Sequence, residues 1–123
     1  MNKRAKGKKI ELEFCKLLLK NRAMINRACP GTKWNRGTDL WDGRFDVEAI
    51  LAKFPNLLCL FQISTRWKTG KERAHIEDFP SSPYRRIFMV RRKDNHPFEV
   101  KEWVGGEWMD FELYRLLGIR NRW

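Results

Sequence analysis

Four polar residues recur at alternate positions of two neighbouring apolar segments: Asp46 and Glu48 in the first, Gln62 and Ser64 in the second. Side chains alternate between the two faces of a β-strand, so the members of each pair share a face. An antiparallel hairpin would set Asp46 opposite Ser64. Glu48 would then face Gln62, and the four side chains would form a compact polar cluster. Carboxylate and amide oxygens are the ligands that Mg²⁺ prefers in proteins.

The elements that carry this cluster are predicted to be two strands joined by a tight turn. Phe45–Lys53 and Leu57–Thr65 are rich in aliphatic and aromatic side chains, as strands are. Between them lies Phe54-Pro55-Asn56, and Pro and Asn favour turns. The sequence therefore predicts a β-hairpin with its turn at residues 54–56.

A helix over residues 7–22 is expected to bring a further carboxylate to the cluster. On a helical wheel, one apolar stripe consists of Ile10, Phe14, Leu17 and Leu18. Glu11 falls inside or at the edge of that stripe, where a carboxylate without a partner is costly. Glu13 falls on the opposite side and is predicted to be an ordinary surface charge. Glu11 is therefore the residue of this helix that is expected to reach the polar cluster.

The remaining elements complete an α/β domain. Strands are predicted at residues 24–29, Arg86–Arg92, Phe98–Val104 and Glu107–Met109, and an irregular loop at residues 30–44. Helices are predicted at residues 71–79 and at Phe111–Leu117, the last with Asp110 as its N-cap and Gly118 at its end. We expect one domain over residues 1–123, with a central mixed β-sheet flanked by helices and a basic N-terminal arm at residues 1–6.

The chain is strongly basic, and its basic residues concentrate near the N-terminus. Its 123 residues include 26 Lys and Arg against 15 Asp and Glu, a net charge of +11. Residues 1–36 hold eleven of the basic residues but only two acidic ones, Glu11 and Glu13. Such a field favours a polyanionic partner, and nucleic acid is the first candidate. A basic surface that serves solubility alone is the alternative.

Cysteine usage and hydropathy indicate the compartment. Cys15, Cys29 and Cys59 lack the CxxC spacing of a structural zinc site. Cys15 and Cys59 lie in apolar segments, where a thiol behaves as a small hydrophobic side chain. No apolar run approaches the roughly 20 residues that cross a bilayer, and no signal peptide is expected. The sequence therefore predicts an intracellular, cytoplasmic protein with no membrane partner.

The order of these motifs resembles that of the archaeal-type Holliday junction resolvases of the PD-(D/E)XK nuclease superfamily. The similar segments are Lys6-Gly7 before a helix with an early Glu11, then Phe45-Asp46-Val47-Glu48-Ala49-Ile50, and then Phe61-Gln62-Ile63-Ser64. Order and spacing are similar over residues 5–92. The resemblance implies a restriction-endonuclease-like fold with an α-β-β-β-α-β core. It also implies a homodimer that cuts Holliday junctions or other branched DNA.

The resemblance also implies a Mg²⁺ site, in which Mn²⁺ is expected to substitute. The family's metal-binding positions fall on Glu11, Asp46 and Gln62. Ser64 and Lys68 would complete the catalytic set.

Two departures from the family's pattern bear on activity. Gln62 stands where the family has Glu, which keeps an oxygen ligand but removes one negative charge. Ser64 stands where the family has Lys, so a cation must come from elsewhere. The nearest candidates are Arg66, Lys68 and Lys71.

A wider set of residues is expected to contact DNA: Lys3, Arg4, Lys6, Lys8, Lys9, Thr32, Lys33, Trp34, Arg36, Arg66, Trp67, Lys68 and Lys71. Trp67 is the preferred base-stacking residue, and packing at the edge of the core is the alternative for any one Trp. A second phosphate track is expected at Arg85, Arg86, Arg91, Arg92 and Lys93. Trp103 and Trp108 are expected in packing or a dimer surface, and His75 and His96 as ordinary surface residues.

The sequence thus predicts a metal-dependent, structure-selective DNA endonuclease. Because the motif lysine is missing, the main alternative is a non-catalytic DNA-binding module with a degenerate nuclease fold. An RNA- or ribosome-associated basic protein is a third interpretation, although it leaves the position of Glu11 unexplained.

Overall fold

The computed structural model describes residues 3–28, 40–93 and 96–118, with side chains from Lys6 onward. Within these ranges the chain forms three helices and six strands, in the order predicted from the sequence. They are α1 (Lys3–Lys20), β1 (Met24–Arg27), β2 (Val47–Leu51), β3 (Phe54–Ser64), α2 (Gly70–Glu77), β4 (Arg85–Arg91), β5 (Glu99–Val104), β6 (Glu107–Phe111) and α3 (Leu113–Leu117).

The strands form one mixed sheet in the spatial order β1-β2-β3-β4-β5-β6. β3 and β4 run parallel, and the other neighbouring pairs are antiparallel. A parallel pair needs a crossover connection, and α2 provides it between β3 and β4. The predicted class, a mixed sheet flanked by helices, is confirmed at this level.

One face of the sheet is covered by α1 and α3. Phe14 and Leu18 of α1 are fully buried, and the helix packs on β1 and β3. The ring of Phe14 meets that of Phe61 edge-on, with ring centres 5.1 Å apart. Leu113 and Leu116 of α3 join the same core. The apolar stripe predicted for the first helix is therefore the face that it buries.

The other face is covered by α2 and by the segment that precedes β2. Ile76 of α2 and Phe79, just after it, belong to a second core with Leu60 and Ile87 of the sheet. Phe45 packs there too, with its ring centre 5.3 Å from that of Phe79. A sheet buried on both faces explains why its central strands are almost continuously apolar.

The β2–β3 hairpin is confirmed, but the predicted register is wrong by two residues. Val47 pairs with Phe61 and Glu48 with Leu60. Asp46 therefore does not lie opposite Ser64, and Glu48 does not face Gln62. The register is set by a turn that lies earlier in the chain than predicted, with an irregularity between Ala49 and Leu51.

That turn consists of Ala52 and Lys53, with Leu51 paired to Phe54. Pro55 consequently lies inside β3 rather than in the turn. It is tolerated there because β3 pairs with β4 only from Leu58 onward, so the missing N–H of proline interrupts no ladder on that side.

Two helix boundaries also differ from the prediction. α1 begins at Lys3, so the expected basic arm is helical from that residue onward. α3 begins at Leu113, and Asp110 belongs to β6 instead of capping the helix. Gly118 ends α3 as predicted, in the left-handed conformation (φ 74°), and its N–H donates to the carbonyl of Tyr114 (2.7 Å).

Cys15 and Cys59 are buried free thiols, as their apolar surroundings predict. Burial raises the pKa of Cys15 to about 11 and that of Cys59 to about 12. Cys29 lies outside the described residues. None of the helices that the structure describes combines the length and hydropathy needed to cross a membrane.

Candidate functional site

Asp46 immediately precedes β2 and is tied to β3. Its main-chain N–H donates to the carbonyl of Phe61 (2.9 Å), and its Oδ2 accepts a hydrogen bond from the N–H of Ile63 (2.7 Å). Burial raises the pKa of Asp46 to about 6. The Ile63 hydrogen bond opposes this rise, the negative charge of Glu11 adds to it, and Lys68 counteracts it. A carboxylate in this state is stabilised by any cation that arrives beside it.

Gln62 is the buried polar side chain nearest to this carboxylate in the fold. It lies in β3 with 5% of its surface exposed. Its Oε1 has no hydrogen-bond partner among the described residues. A buried oxygen without a partner costs on the order of 1–3 kcal/mol, so an atom of this kind calls for a donor or a cation.

A cavity of about 190 Å³ opens at Asp46 and Gln62, on the α2 side of the sheet. Its polar lining consists of Arg44, Asp46, Gln62, Lys68, Glu72 and His75. The topology explains why these residues meet. α2 follows β3 directly, and crevices at the carboxyl ends of parallel strands are the usual ligand sites of open α/β sheets.

Lys68 enters the cavity from the loop between β3 and α2. Its Nζ lies 2.8 Å from Oε2 of Glu72, in the first turn of α2. The hydrogen bond to Lys68 lowers the pKa of Glu72, and the charge of Lys68 also acts on Asp46. The structure thus brings together three of the five predicted catalytic residues: Asp46, Gln62 and Lys68.

Glu11 approaches Asp46 from the α1 side of the sheet and does not line the cavity. Its Oε1 lies 3.2 Å from Nη2 of Arg27 in β1. The Glu11 side chain is 18% exposed, so this ion pair supplies the partner that its position beside the apolar stripe requires. Glu13, predicted to be a surface charge, is partly exposed and pairs with Arg92 just after β4.

Ser64 and Glu48 are held away from the cavity. The hydroxyl of Ser64 donates to the carbonyl of Arg66. The carboxylate of Glu48 accepts hydrogen bonds from Nδ2 of Asn26 (2.9 Å) and Nε1 of Trp41 (3.1 Å). Of the four polar residues expected to cluster on the hairpin, Asp46 and Gln62 remain at the site.

His75, expected to be an ordinary surface residue, lines the cavity. Its Nε2 lies 3.0 Å from the carbonyl oxygen of Asp42, so in the neutral ring Nε2 carries the proton. Nε of Arg44 donates to the carbonyl of His75 (2.8 Å) and fixes this end of α2. One signal was present in the sequence: Glu72 and His75 are three residues apart in the predicted helix and so share one face.

No family model, curated protein or solved structure matches this chain. Within the part of the chain that the structure describes, no three His, Cys, Asp or Glu side chains are grouped to hold a metal ion. The oxygen ligands that line the cavity are the carboxylates of Asp46 and Glu72 and the amide of Gln62. Of the two carboxylates, that of Glu72 is paired with Lys68. Glu11 lies behind its ion pair with Arg27.

Predicted DNA contacts outside the described residues are Thr32, Lys33, Trp34, Arg36 and the side chains of Lys3 and Arg4. Among the described ones, Lys8 and Lys9 are exposed on α1. Arg66 and Lys71, on either side of Lys68 in the chain, are exposed too. Lys6 is half-buried.

Trp67, the preferred base-stacking residue, packs against the core on the α2 face. The guanidinium carbon of Arg91 lies 4.6 Å from its ring centre, and Nζ of Lys101 lies 5.0 Å away. Two cations therefore lie beside this ring in the free protein. In this structure Trp67 packs at the edge of the core, which is the alternative to base stacking given by the sequence. Trp103 and Trp108 pack on the same core.

The second phosphate track, predicted along β4, stays a prediction, but three of its arginines are paired with carboxylates. Arg86 binds both carboxylate oxygens of Glu102, at 2.8 Å each. Arg91 pairs with Glu99, and Arg92 pairs with Glu13. These side chains serve the fold, because β4 and β5 place each of the first two cations beside an acidic residue of the neighbouring strand.

Proposed function

We propose that the chain is a metal-dependent, structure-selective endonuclease that cuts Holliday junctions or other branched DNA. The observation that carries this proposal is Gln62, whose Oε1 is buried without a partner and whose side chain lines a cavity together with Asp46 and Lys68. The net charge of +11 supports a polyanionic substrate.

Hydrolysis of a phosphodiester joins the oxygen of a water molecule to phosphorus and breaks one P–O ester bond. The water loses a proton, and the departing oxygen gains one. The chemistry that a bound Mg²⁺ supplies is an acidified water and the neutralisation of charge on the phosphate. The protein's part is to hold the cation, orient the phosphate and place positive charge beside it.

Asp46 and Gln62 fit such a cation. Mg²⁺ commonly takes one or two carboxylates and fills its remaining positions with waters and substrate phosphate oxygens. A cation would provide the partner that Gln62 Oε1 lacks and would stabilise the charged form of Asp46. Glu11 would contribute once its ion pair with Arg27 opens. The site has few acidic residues, which is consistent with a metal ion that takes some of its ligands from the DNA phosphates.

Exposed cations support the DNA partner. Lys8 and Lys9 are exposed on α1. Arg66 and Lys71 are exposed too, and they are two and three residues from Lys68 in the sequence. Each lysine or arginine that neutralises a phosphate releases a counterion and adds affinity without regard to base sequence. Selection of branched DNA would therefore depend on shape.

A homodimer accounts for paired cuts at a junction, because a two-fold axis relates two copies of the same site. The C-terminal elements are the expected interface. Val104, Met109 and Tyr114 are exposed apolar or aromatic residues on β5, β6 and α3, and their exposure supports this assignment.

The test is cleavage of a labelled four-way junction and of a linear duplex of the same sequence, with Mg²⁺ or Mn²⁺. Asp46→Asn is compared with Glu48→Gln, which removes a second carboxylate from the same hairpin strand but outside the cavity. We expect symmetric nicks near the branch point by the wild type and by Glu48→Gln, and none by Asp46→Asn.

Junction binding by the wild type without any metal-dependent cut would favour the non-catalytic module. The position of the Ser64 hydroxyl, turned toward Arg66, is the observation behind that alternative. Binding of RNA at least as tight as binding of the junction, again without cleavage, would favour an RNA-associated protein.

A further inference from the structure

The proposed reaction needs a positive charge beside the phosphate. The resembled family has a lysine for this purpose at the position of Ser64 in β3. Ser64 carries no charge, and its hydroxyl is engaged by the carbonyl of Arg66. Arg44 lines the cavity but is tied on two sides, since its Nε donates to the carbonyl of His75 and its Nη2 lies 3.7 Å from Asp78.

Lys68 differs from Arg44 in how it is held. Its Nζ is bound by Glu72, 2.8 Å away. The Glu72 side chain is 61% exposed, whereas that of Lys68 is 29% exposed. An ion pair with so exposed a partner is weak. It orients the ammonium group without competing strongly against a phosphate.

We propose that Lys68 is the catalytic cation of the cavity and that its ammonium group contacts a non-bridging oxygen of the phosphate under attack. This inference rests on the proposed function. The lysine forms no covalent bond and transfers no proton in this role; it stabilises the negative charge that develops on the phosphate oxygens.

The cation therefore comes from the loop before α2, whereas Asp46 and Gln62 come from the hairpin. Lys68 reaches the cavity because the crossover returns over the end of β3 where Gln62 lies. Its effect on Asp46, whose pKa it lowers, supports their proximity. Glu72 is the positioning residue that keeps the lysine over the cavity in the free protein.

The chain offers a matched control within α2, the helix that follows Lys68. Arg73 and Glu77 also form a pair four residues apart, with Nε and Oε2 2.8 Å apart. Neither residue lines the cavity. Substitution of Arg73 therefore removes a comparable charge and a comparable ion pair without touching the site.

The first experiment measures single-turnover cleavage of the junction by Lys68→Met, Lys68→Arg and Arg73→Met. Methionine keeps the apolar stem of the lysine, so the fold is expected to be retained. We expect Lys68→Met to cut roughly 100-fold more slowly. The dissociation constant for the junction should rise by much less than that, because one phosphate contact among many is lost. Lys68→Arg should recover part of the rate, and Arg73→Met should match the wild type.

Cleavage by Lys68→Met at the wild-type rate, with Asp46→Asn inactive, would overturn the inference and leave the proposed function standing. If the wild type cuts no DNA, the proposed function fails and a second experiment decides about Lys68. Millimolar inorganic phosphate is added to the protein alone, and the side-chain amide signal of Gln62 is followed by NMR.

We expect phosphate to shift that signal in the wild type and in Arg73→Met but not in Lys68→Met. A shift that depends on Lys68 would support its contact with a phosphate even in a chain that cuts nothing. No shift in the wild type, or a shift that persists in Lys68→Met, would overturn the inference.

Discussion

Oδ2 of Asp46 lies 2.7 Å from the main-chain nitrogen of Ile63, so β3 binds one oxygen of this carboxylate. Burial outweighs that hydrogen bond and raises the pKa of Asp46 from 3.8 to about 6. The folded protein consequently holds the Asp46 proton more tightly than the unfolded chain does. As the pH rises between these two pKa values, the free energy of unfolding falls.

Asp46→Asn should therefore stabilise the protein at neutral pH. Asparagine keeps an oxygen that can accept the Ile63 hydrogen bond and removes the buried charge. The difference between the two pKa values corresponds to about 3 kcal/mol at pH 7, and this gain should disappear as the pH approaches 3.8. Urea unfolding at several pH values measures it.

Glu48→Gln is the control, because Glu48 has two hydrogen-bond donors of its own and is not in the cavity. It should show no such gain. Equal stability of Asp46→Asn and wild type at neutral pH would contradict the buried, charged Asp46 described here. A stabilising change that removes activity is typical of a functional site.

Alternation along the hairpin selected Asp46 and Gln62 from the sequence, because a polar residue is conspicuous in an apolar strand. It selected Glu48 and Ser64 equally, and neither of these lines the cavity. The register was not predictable in the same way. Pro55 and Asn56 are strong turn formers, yet the turn falls at Ala52 and Lys53. Pairing with β4 begins only at Leu58, so the missing N–H of Pro55 breaks no hydrogen bond to β4. This pairing is a property of the tertiary structure and cannot be deduced from the local sequence.

The cavity itself depends on how α2 packs on the sheet, and local sequence does not specify that packing. Lys68 was identified by its charge and its distance along the chain from the hairpin. His75 was not, because its place depends on Arg44 and Asp42, which precede β2. A helical spacing of polar residues identifies a shared face but not the surface that it covers.

A second prediction concerns the ion pair of Arg86 and Glu102, whose side chains are only 17% and 13% exposed. Glu102→Ala should lower the free energy of unfolding by about 3 kcal/mol, because it leaves a buried guanidinium without its partner. The double variant Arg86→Met/Glu102→Leu should cost less than either Arg86→Met or Glu102→Leu alone, since it leaves no unpaired charge. Denaturant unfolding of the wild type, Arg86→Met, Glu102→Leu and the double variant measures the coupling energy between the two side chains.

The exposed pair of Arg73 and Glu77 is the comparison for that experiment. Arg73→Ala should cost no more than about 0.5 kcal/mol, as is usual for helix pairs in water. Additive losses in the Arg86 and Glu102 cycle would show that the two charges are stabilised independently of each other.

Two glycines should respond to alanine with opposite signs. Gly118 ends α3 at φ 74°, and an added Cβ would meet Lys53 at an ordinary 3.9 Å. Backbone strain alone should then make Gly118→Ala cost about 1–2 kcal/mol. Gly7 lies within α1, where a Cβ would meet nothing within 4 Å, and Gly7→Ala should stabilise by up to about 1 kcal/mol. Thermal unfolding distinguishes these outcomes.

The last prediction tests whether α1 contributes to the site. The negative charge of Glu11 raises the pKa of Asp46, although less than burial does. Glu11→Gln should therefore lower the pKa of Asp46, measured by carboxyl NMR titration without metal. Glu13→Gln is the control, because Glu13 pairs with Arg92 just after β4, and it should leave that pKa unchanged.

The same variants show whether Glu11 is a metal ligand or only a neighbouring charge. A ligand contributes directly to the binding of a cation, so Glu11→Gln should weaken the binding of Mn²⁺ alone by more than Glu13→Gln does. If the pKa of Asp46 falls while Mn²⁺ affinity falls only slightly, Glu11 acts on the site through its charge, and its ion pair with Arg27 remains closed when the metal binds.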